Sequence, residues 1–189
     1  NQAPTSSGQP IPFAMLHQKL TEAGSMFEME TLQIRDAATR VYKNAPPTLR
    51  ELFQMGRMWS PREFLVYQDE RTTYASFINA VAKLTNVLKD QFGVKKGDRV
   101  AIIMRNYPEW AISFWAVANL GGICVPMNAW WQGPELEYGM KDSGAVLAIV
   151  DDERYERLRE HLPDLKLNGV IVTRGSLDTL EDGYAWEDL

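Results

Sequence analysis

The sequence is short of the residues that most often carry catalysis or cross-links. Its 189 residues include one cysteine, Cys124, and two histidines, His17 and His161. A single cysteine excludes an internal disulfide framework and is consistent with a reducing compartment. No cluster of His, Cys and acidic residues has the spacing of metal ligands. The sequence also lacks a nucleophile elbow, a P-loop and a Gly-x-Gly-x-x-Gly fingerprint, so it predicts neither catalytic nor metal-binding residues.

Further absences narrow the class of protein. The net charge is -5, with no block of like charges, which argues against a nucleic-acid surface. No apolar run approaches the length that spans a bilayer, so we expect no transmembrane segment. The N-terminus shows no basic region followed by an apolar core, as a secretory signal would have. The default location is therefore the cytoplasm.

Composition and patterning predict a globular α/β chain preceded by a short tail. Hydrophobic residues make up 45% and charged residues 24%, an ordinary balance for one domain. Residues 1–12 are rich in Pro, Ser, Gly and Gln and are predicted to be a disordered tail. Residues 27–42 fit either a helix or a β-hairpin with its turn at 35–38, and we favour the hairpin because Thr39, Val41 and Tyr42 prefer strands. A second hairpin is predicted over 63–74, with its turn at 69–71, and residues 175–189 are predicted to be an acidic loop.

The middle of the chain predicts a mainly parallel, doubly wound sheet flanked by helices. Continuous apolar runs suit strands that are buried on both faces. Helices are predicted to start near Pro108 and Pro134 and to end at Gly121 and Gly144, because proline is tolerated in a first turn and glycine at a C-terminus. Helices between strands favour parallel crossovers. The predicted strands are residues 99–104, 123–127, 145–150 and 169–173.

Polar and aromatic residues after two of these strands are candidate ligand contacts. Asn128, Trp130 and Trp131 directly follow a predicted strand, and open α/β sheets bind ligands at the carboxyl ends of their strands. The two tryptophans would either wall an apolar or planar ligand or simply cover the end of the sheet. Arg154 follows the next strand and would either hold a phosphate or be a surface charge on a helix. The carboxylate pairs at 151–152 and 181–182 are interpreted as solvated ends.

Five motifs stand out in the middle of the chain: residues 94–102 (VKKGDRVAI), 106–110 (NYPEW), 120–128 (LGGICVPMN), 134–136 (PEL) and 142–145 (DSGA). Together they resemble the start of AMP-forming acyl-CoA synthetases. These enzymes belong to the adenylate-forming superfamily, which includes luciferases and peptide-synthetase adenylation domains. The resemblance covers roughly residues 27–189, and the segment 43–52 and Asn128-x-Trp130-Trp131 are similar to a fatty-acyl subgroup. Tyr107 departs from the pattern, since the family usually has Ser there as a helix cap.

The resemblance implies a ligase that activates a carboxylic acid. ATP and Mg²⁺ would convert the acid to an acyl-adenylate, and the thiol of coenzyme A would then displace AMP. Within this family Asn128, Trp130, Trp131 and Arg154 would lie near the acyl or coenzyme A path. Peroxisomal address signals lie at a C-terminus, so the peroxisome is the alternative location.

The resemblance also implies that much of the enzyme lies outside these 189 residues. They lack the family's Ser/Thr/Gly-rich phosphate loop, its acidic magnesium motif, its ribose-binding Asp and its mobile C-terminal domain with the catalytic Lys. Residues 13–189 are thus expected to be an N-terminal subdomain truncated before the phosphate loop. It would be inactive alone, bind no cofactor and have the remainder of the synthetase as its partner. The alternatives are a free-standing binding or regulatory module with the same fold and an unrelated doubly wound domain.

Overall fold

The computed structural model describes residues 3–4, 10–175, 180 and 183–189. The chain forms two compact units, Asn1–Thr48 and Leu49–Leu189. The carboxylate pair at 181–182, interpreted above as a solvated end, lies outside the described residues.

The first unit contains a short helix and a β-hairpin. Strands β1 (Ala3–Pro4) and β2 (Pro10–Ile11) pair antiparallel within the predicted tail. They are followed by helix α1 (Phe13–Thr21) and by the antiparallel strands β3 (Met29–Ile34) and β4 (Ala37–Tyr42). The preferred hairpin is therefore confirmed over the helical alternative, with a two-residue turn that places Arg35 at φ 53°. No described residue of this unit is fully buried.

The second unit begins with a helix and the second predicted hairpin. Helix α2 (Leu49–Met55) and a 3₁₀ turn precede strands β5 (Glu63–Tyr67) and β6 (Glu70–Thr73), which lead into helix α3 (Tyr74–Asp90). The hairpin is confirmed, but its turn lies one residue earlier than predicted. Gln68 adopts φ 49°, and such left-handed conformations suit the short loops that join twisted strands.

The rest of the second unit is the predicted parallel sheet. The sheet has the strand order β11 (Tyr184–Ala185), β10 (Val170–Thr173), β9 (Leu147–Asp151), β7 (Arg99–Ile103) and β8 (Ile123–Pro126), and all of its pairings are parallel. The predicted fold class is thereby confirmed, with strand ends that move by one or two residues. In chain order the elements are β7 (Arg99–Ile103), α4 (Pro108–Leu120), β8 (Ile123–Pro126), α5 (Gly133–Ser143), β9 (Leu147–Asp151), α6 (Asp152–Arg159), β10 (Val170–Thr173) and β11 (Tyr184–Ala185).

The two faces of the sheet carry separate cores because strand side chains alternate. Val100 and Ile102 of β7 face the core that includes α3 and α4, in which Trp115 is partly buried. Ala101 and Ile103 face the opposite core, where Met140 of α5 is buried together with residues of α6. The prediction that the helices starting near Pro108 and Pro134 pack through Trp115 and Met140 is confirmed.

The last residues of the chain, predicted to be loop, include a short strand. Ala185 is buried, and Tyr184 and Ala185 add a fifth strand beside β10. The ring of Tyr184 meets that of Phe92 edge-on at 4.9 Å between centroids, which ties this strand to the end of α3. A strand of only two residues shows almost no periodicity in the sequence, which is why the sequence predicts a loop here.

Within the described part of the chain, no helix combines the length and the apolar character that crossing a membrane requires.

Candidate functional site

The carboxyl edge of the sheet brings together segments that are distant in sequence. Strand β7 lies between β8 and β9, so the segments that follow these three strands are neighbours. They contribute Arg105 after β7, residues 127–132 after β8, and Asp151 with Arg154 at the junction of β9 and α6. We call residues 127–132 the tryptophan loop.

Asn128 shapes this loop from within. Its side-chain Oδ1 accepts a hydrogen bond from the backbone N–H of Trp130 at 3.0 Å. Its carbonyl accepts a second bond from the N–H of Trp131 at 3.1 Å. This is the local turn geometry for which asparagine is suited, so the side chain is engaged with its own backbone.

The two tryptophans have different environments. Trp130 is 64% exposed, whereas Trp131 is partly buried in the core beside α5. A Cβ placed on Gly139 of α5 would lie 3.0 Å from the Trp131 ring, which shows how closely that ring sits on the helix. The ligand-wall interpretation therefore suits Trp130, and the sheet-covering interpretation suits Trp131.

Trp130 lies within reach of two guanidinium groups. The guanidinium carbon of Arg105 is 4.7 Å from the centroid of the Trp130 ring, and that of Arg154 is 5.9 Å away. Such contacts are cation–π interactions. Arg105 is itself exposed, and the salt bridges of the described residues include no carboxylate partner for it.

Arg154 is buried, and the interpretation of it as a surface charge is wrong. It is only 1% exposed, and its Nε donates to the carbonyl of Ala129 at 2.7 Å. Its Nη1 pairs with Asp151 at 3.2 Å and with Glu153 at 2.9 Å. Its Nη2 is buried without a hydrogen-bond partner among the described residues. A phosphate would have to reach a guanidinium that the protein already encloses.

Asp151 is a buried polar residue at this edge that the sequence analysis did not identify. It was interpreted as part of a solvated pair, but it is 2% exposed and only Asp152 is on the surface. Its Oδ1 accepts from the N–H of Arg154 at 3.0 Å, and its Oδ2 accepts from the N–H of Arg105 at 2.9 Å. An aspartate between a strand and a helix is a typical N-cap, which is the signal that could have identified it.

Arg174, which follows β10, is a second missed residue. It pairs with Glu70 at 3.0 Å and with Glu109 at 3.0 Å, and hydrogen bonds to both carboxylates raise the pKa of its guanidinium. The rings of Tyr67 and Tyr107 lie 5.1 and 4.7 Å from its guanidinium carbon. Tyr107, at the helix-cap position, makes no side-chain cap bond, and burial raises the pKa of its phenol.

The remaining titratable groups do not assemble into a metal or catalytic cluster in the described ranges. No group of three or more His, Cys, Asp or Glu side chains there is arranged to hold a metal ion. His161 pairs with Glu137 at 2.5 Å, and His17 lies in the other unit. The edge as described offers an exposed aromatic face, an exposed cation and a loop held from behind, which suits binding more than bond making.

Comparison with known proteins identifies the family. The family model described as "AMP-binding enzyme" matches residues 53–188. A long-chain-fatty-acid–CoA ligase of Mycobacterium tuberculosis is 38% identical over 81 residues, which cover 43% of this chain and 16% of the ligase. A feruloyl-CoA synthase of an Amycolatopsis species is 34% identical over 110 residues, which cover 58% of this chain and 22% of the synthase.

Solved structures show the same fold. The anthranilate CoA ligase AuaEII, in complex with anthranoyl-AMP, matches with a TM-score of 0.70 at 23% identity, over 77% of this chain and 28% of that one. The N-terminal subdomain of Klebsiella oxytoca NpsA matches with a TM-score of 0.52 at 26% identity, over 57% of this chain and 28% of that one.

The match covers all of the sheet and only part of the relatives. The chain spans between 16% and 25% of the length of the curated relatives described here and of a long-chain-fatty-acid–CoA ligase of Salmonella typhimurium. Within this chain, however, the family model runs from α2 to the last 3₁₀ turn, well over half of the residues. The chain therefore belongs to the AMP-binding enzyme family.

Proposed function

We propose that the chain is the N-terminal part of an ATP-dependent acyl-CoA synthetase, an acid–thiol ligase. The reaction joins a carboxylic acid to coenzyme A. ATP first converts the acid to an acyl-adenylate and pyrophosphate, and the thiol of coenzyme A then displaces AMP. The observation that carries the proposal is the family match over residues 53–188, together with relatives that are named CoA ligases or synthases.

The proposal assigns binding, and not bond making, to these residues. Mg²⁺ would accompany ATP, but the described residues offer no ligand group for a metal, so we give them no role in holding it. The 189 residues contain no Ser/Thr/Gly-rich loop ending in Pro-Lys-Gly to cradle the phosphates of ATP. The cytoplasm stays a prediction for the location of the enzyme.

Trp130 and Arg105 are the residues we propose to contact coenzyme A or the acyl group. An exposed indole offers a large apolar face at low entropic cost, which suits a pantetheine arm or a fatty chain. The Arg105 guanidinium already lies on that indole, so it is placed for a charge-assisted bond to a phosphate of coenzyme A. Both residues follow neighbouring parallel strands, at the edge where such sheets bind ligands.

Asn128, Trp131 and Arg154 take part in this proposal as supports of the contact surface. Asn128 folds the loop, Trp131 seats it on α5, and Arg154 holds the carbonyl of Ala129. Each supports the exposed face of Trp130 from a different side. Their effect on substrate binding would pass through the loop.

Kinetics of the synthetase that contains this chain test the proposal. Trp130→Ala should raise the KM for coenzyme A or for the acid roughly fivefold, since one aromatic contact contributes on the order of 1 kcal/mol. The kcat and the melting temperature should change little, because Trp130 is mostly exposed. Mass spectrometry should identify acyl-CoA as the product.

A matched control is Tyr138→Ala. Tyr138 is 68% exposed on α5, and none of the hydrogen bonds and cation–π contacts described above for the tryptophan loop involves it. It should change neither KM. If Trp130→Ala leaves both KM values unchanged and lowers the melting temperature by several degrees, Trp130 is a structural residue and the proposed contact is wrong.

A further inference from the structure

We propose that Asp151 and Arg154 form a buried positioning pair that holds the tryptophan loop and the Arg105 segment in register with each other. Neither side chain would touch a ligand. They would act by fixing the two segments that present Trp130 and Arg105. The importance of the pair for catalysis rests on the proposed function, whereas its effect on the loop does not.

Asp151 joins two segments through a single carboxylate. One oxygen accepts from the backbone N–H of Arg105 at 2.9 Å, at the end of β7. The other accepts from the N–H of Arg154 at 3.0 Å and so caps α6. The same carboxylate also pairs with the Arg154 guanidinium at 3.2 Å. Removing its charge should therefore loosen the start of the β7–α4 connection as well as α6.

Arg154 extends this anchor to the tryptophan loop. Its Nε donates to the carbonyl of Ala129 at 2.7 Å, between Asn128 and Trp130. Arg157, one turn later in α6, donates to the carbonyls of Ala129 and Trp131 at 3.3 and 3.1 Å. Two guanidinium groups of one helix thus hold the loop backbone, and Arg154 is the more buried of the two.

Burial makes the pair sensitive to the loss of either member. The side chains of Arg154 and Asp151 are 1% and 3% exposed. Replacing one partner of a buried ion pair leaves the other charge uncompensated, which is strongly destabilising. A buried pair is weak evidence for stability in itself, and fixing a register is its best-attested use. Here the pair would fix the position of Trp130 relative to that of Arg105.

Hydrogen exchange on the 189-residue chain separates this role from general stabilisation. Arg154→Met removes the bond to Ala129 and keeps most of the side-chain volume. Amide exchange in residues 127–132 should rise at least about tenfold, as expected when a charge-assisted bond is lost. Exchange in β7 should rise far less. Quenching of indole fluorescence by acrylamide should also change, because Trp130 would leave its place beside Arg105.

Asp151→Asn gives a different expected pattern. It should raise exchange at the N–H of Arg105 and in the tryptophan loop together, whereas Arg154→Met should leave the Arg105 N–H protected. If Arg154→Met does not fold, Arg154→Lys is used instead, since it keeps a cation beside Asp151 but lacks the planar fork that reaches both Asp151 and Ala129.

Leu158→Ala is the control, because Leu158 is fully buried in α6 and makes none of these polar contacts. It should lower the melting temperature without selective exchange in residues 127–132. The inference is overturned if Arg154→Met and Leu158→Ala raise loop exchange equally at a matched loss of melting temperature. Hydrogen exchange and melting temperature test the positioning role without any assay of ligase activity. A failure of the positioning role can therefore be told apart from a failure of the proposed function, which only the kinetics would reveal.

Discussion

Cys124, the single thiol, is packed against the backbone of α4. Its Sγ donates to the carbonyl of Phe114 at 3.4 Å, and burial raises its pKa to about 11. A group whose folded pKa is raised favours the folded state below its unfolded pKa, and this contribution is lost as the pH rises through about 11. The thiolate, which is the reactive form, is therefore scarce in the folded protein near neutral pH.

Thiol labelling measures this directly. At pH 8, native Cys124 should react with an aromatic disulfide reagent about a hundredfold more slowly than the urea-unfolded chain, from thiolate fractions alone. Because the sequence has one cysteine, Cys124→Ser should show no labelling at all. Equal rates for the native and unfolded chains would show that the thiol is not buried.

Arg174 should contribute measurably to stability. It links β6 to the start of α4 through Glu70 and Glu109 and lies against two tyrosine rings. Arg174→Ala should lower the free energy of unfolding in urea by about 1–3 kcal/mol, since charge-assisted and cation–π contacts are lost together. Arg174→Lys should recover only part, because lysine lacks the planar fork.

Arg71→Ala is the matched control for this arginine. Among the described residues, the side chain of Arg71 donates only to the exposed carbonyls of Gln68 and Glu70, so its loss should change the free energy of unfolding by less than about 0.5 kcal/mol. An equal loss for both arginines would contradict a special role for Arg174.

The sequence predicts which residues lie at the carboxyl edge of the sheet, but it does not predict whether the side chain of each is exposed or buried. The positions of Trp130, Trp131 and Arg154 follow from strand polarity, which an apolar pattern reveals. Whether each side chain is exposed depends on partners distant in sequence. Arg154 is buried because the carbonyl of Ala129 accepts from it across 25 positions, and no local pattern encodes that contact.

Helix α5 begins at a glycine that has no room for a side chain. A Cβ at Gly133 would lie 2.3 Å from Nε2 of His161 and 2.6 Å from the carbonyl oxygen of Arg157. The start of α5 is thus pressed against the end of α6, and its capping box of Gln132 and Glu135 lies at the same point.

Gly133→Ala should therefore separate these helix ends. We expect a loss of about 1–3 kcal/mol in the free energy of unfolding, the usual cost of overpacking. Gly56→Ala is the control, because its nearest neighbour would be a Tyr74 ring carbon at an ordinary 3.4 Å. A Gly133→Ala variant as stable as the unmodified chain would show that α5 and α6 are not in close contact.

The larger elements could be predicted because their signals are local and redundant. β7, β8, β9 and β10 are continuous apolar runs, and α4 and α5 carry proline at the start and glycine at the end. Gly121 and Gly144 both adopt left-handed conformations at helix C-caps, as the sequence predicts. β11 escaped prediction because two strand residues carry no periodic signal, and its pairing with β10 is set by tertiary contacts.

The buried hydrophobic residues are distributed unevenly between the two units of the chain. All of the fully buried hydrophobic residues in the described ranges lie in Leu49–Leu189, where both faces of the sheet are covered by helices. The family model likewise begins at residue 53 and follows that unit. The motif resemblance in 94–145 lies within it, which is why the family could be predicted from sequence and why an unrelated doubly wound domain is the wrong alternative.

The proposed ligase activity is that of a longer synthetase, and this chain would be one part of it. We propose that these residues contribute binding surface to an adenylating enzyme whose phosphate cradle lies outside them. Electrostatic stabilisation at the reacting phosphates is usually the largest part of catalysis, so its absence should abolish turnover.

The most direct test is pyrophosphate release from ATP, measured with and without a carboxylic acid, for the 189-residue chain beside the longer synthetase. We predict acid-dependent release by the longer protein, followed by acyl-CoA formation when coenzyme A is added, and none by the chain alone. Acid-dependent turnover by the 189 residues alone, or its absence from the longer protein with every carboxylic acid offered, would contradict the account.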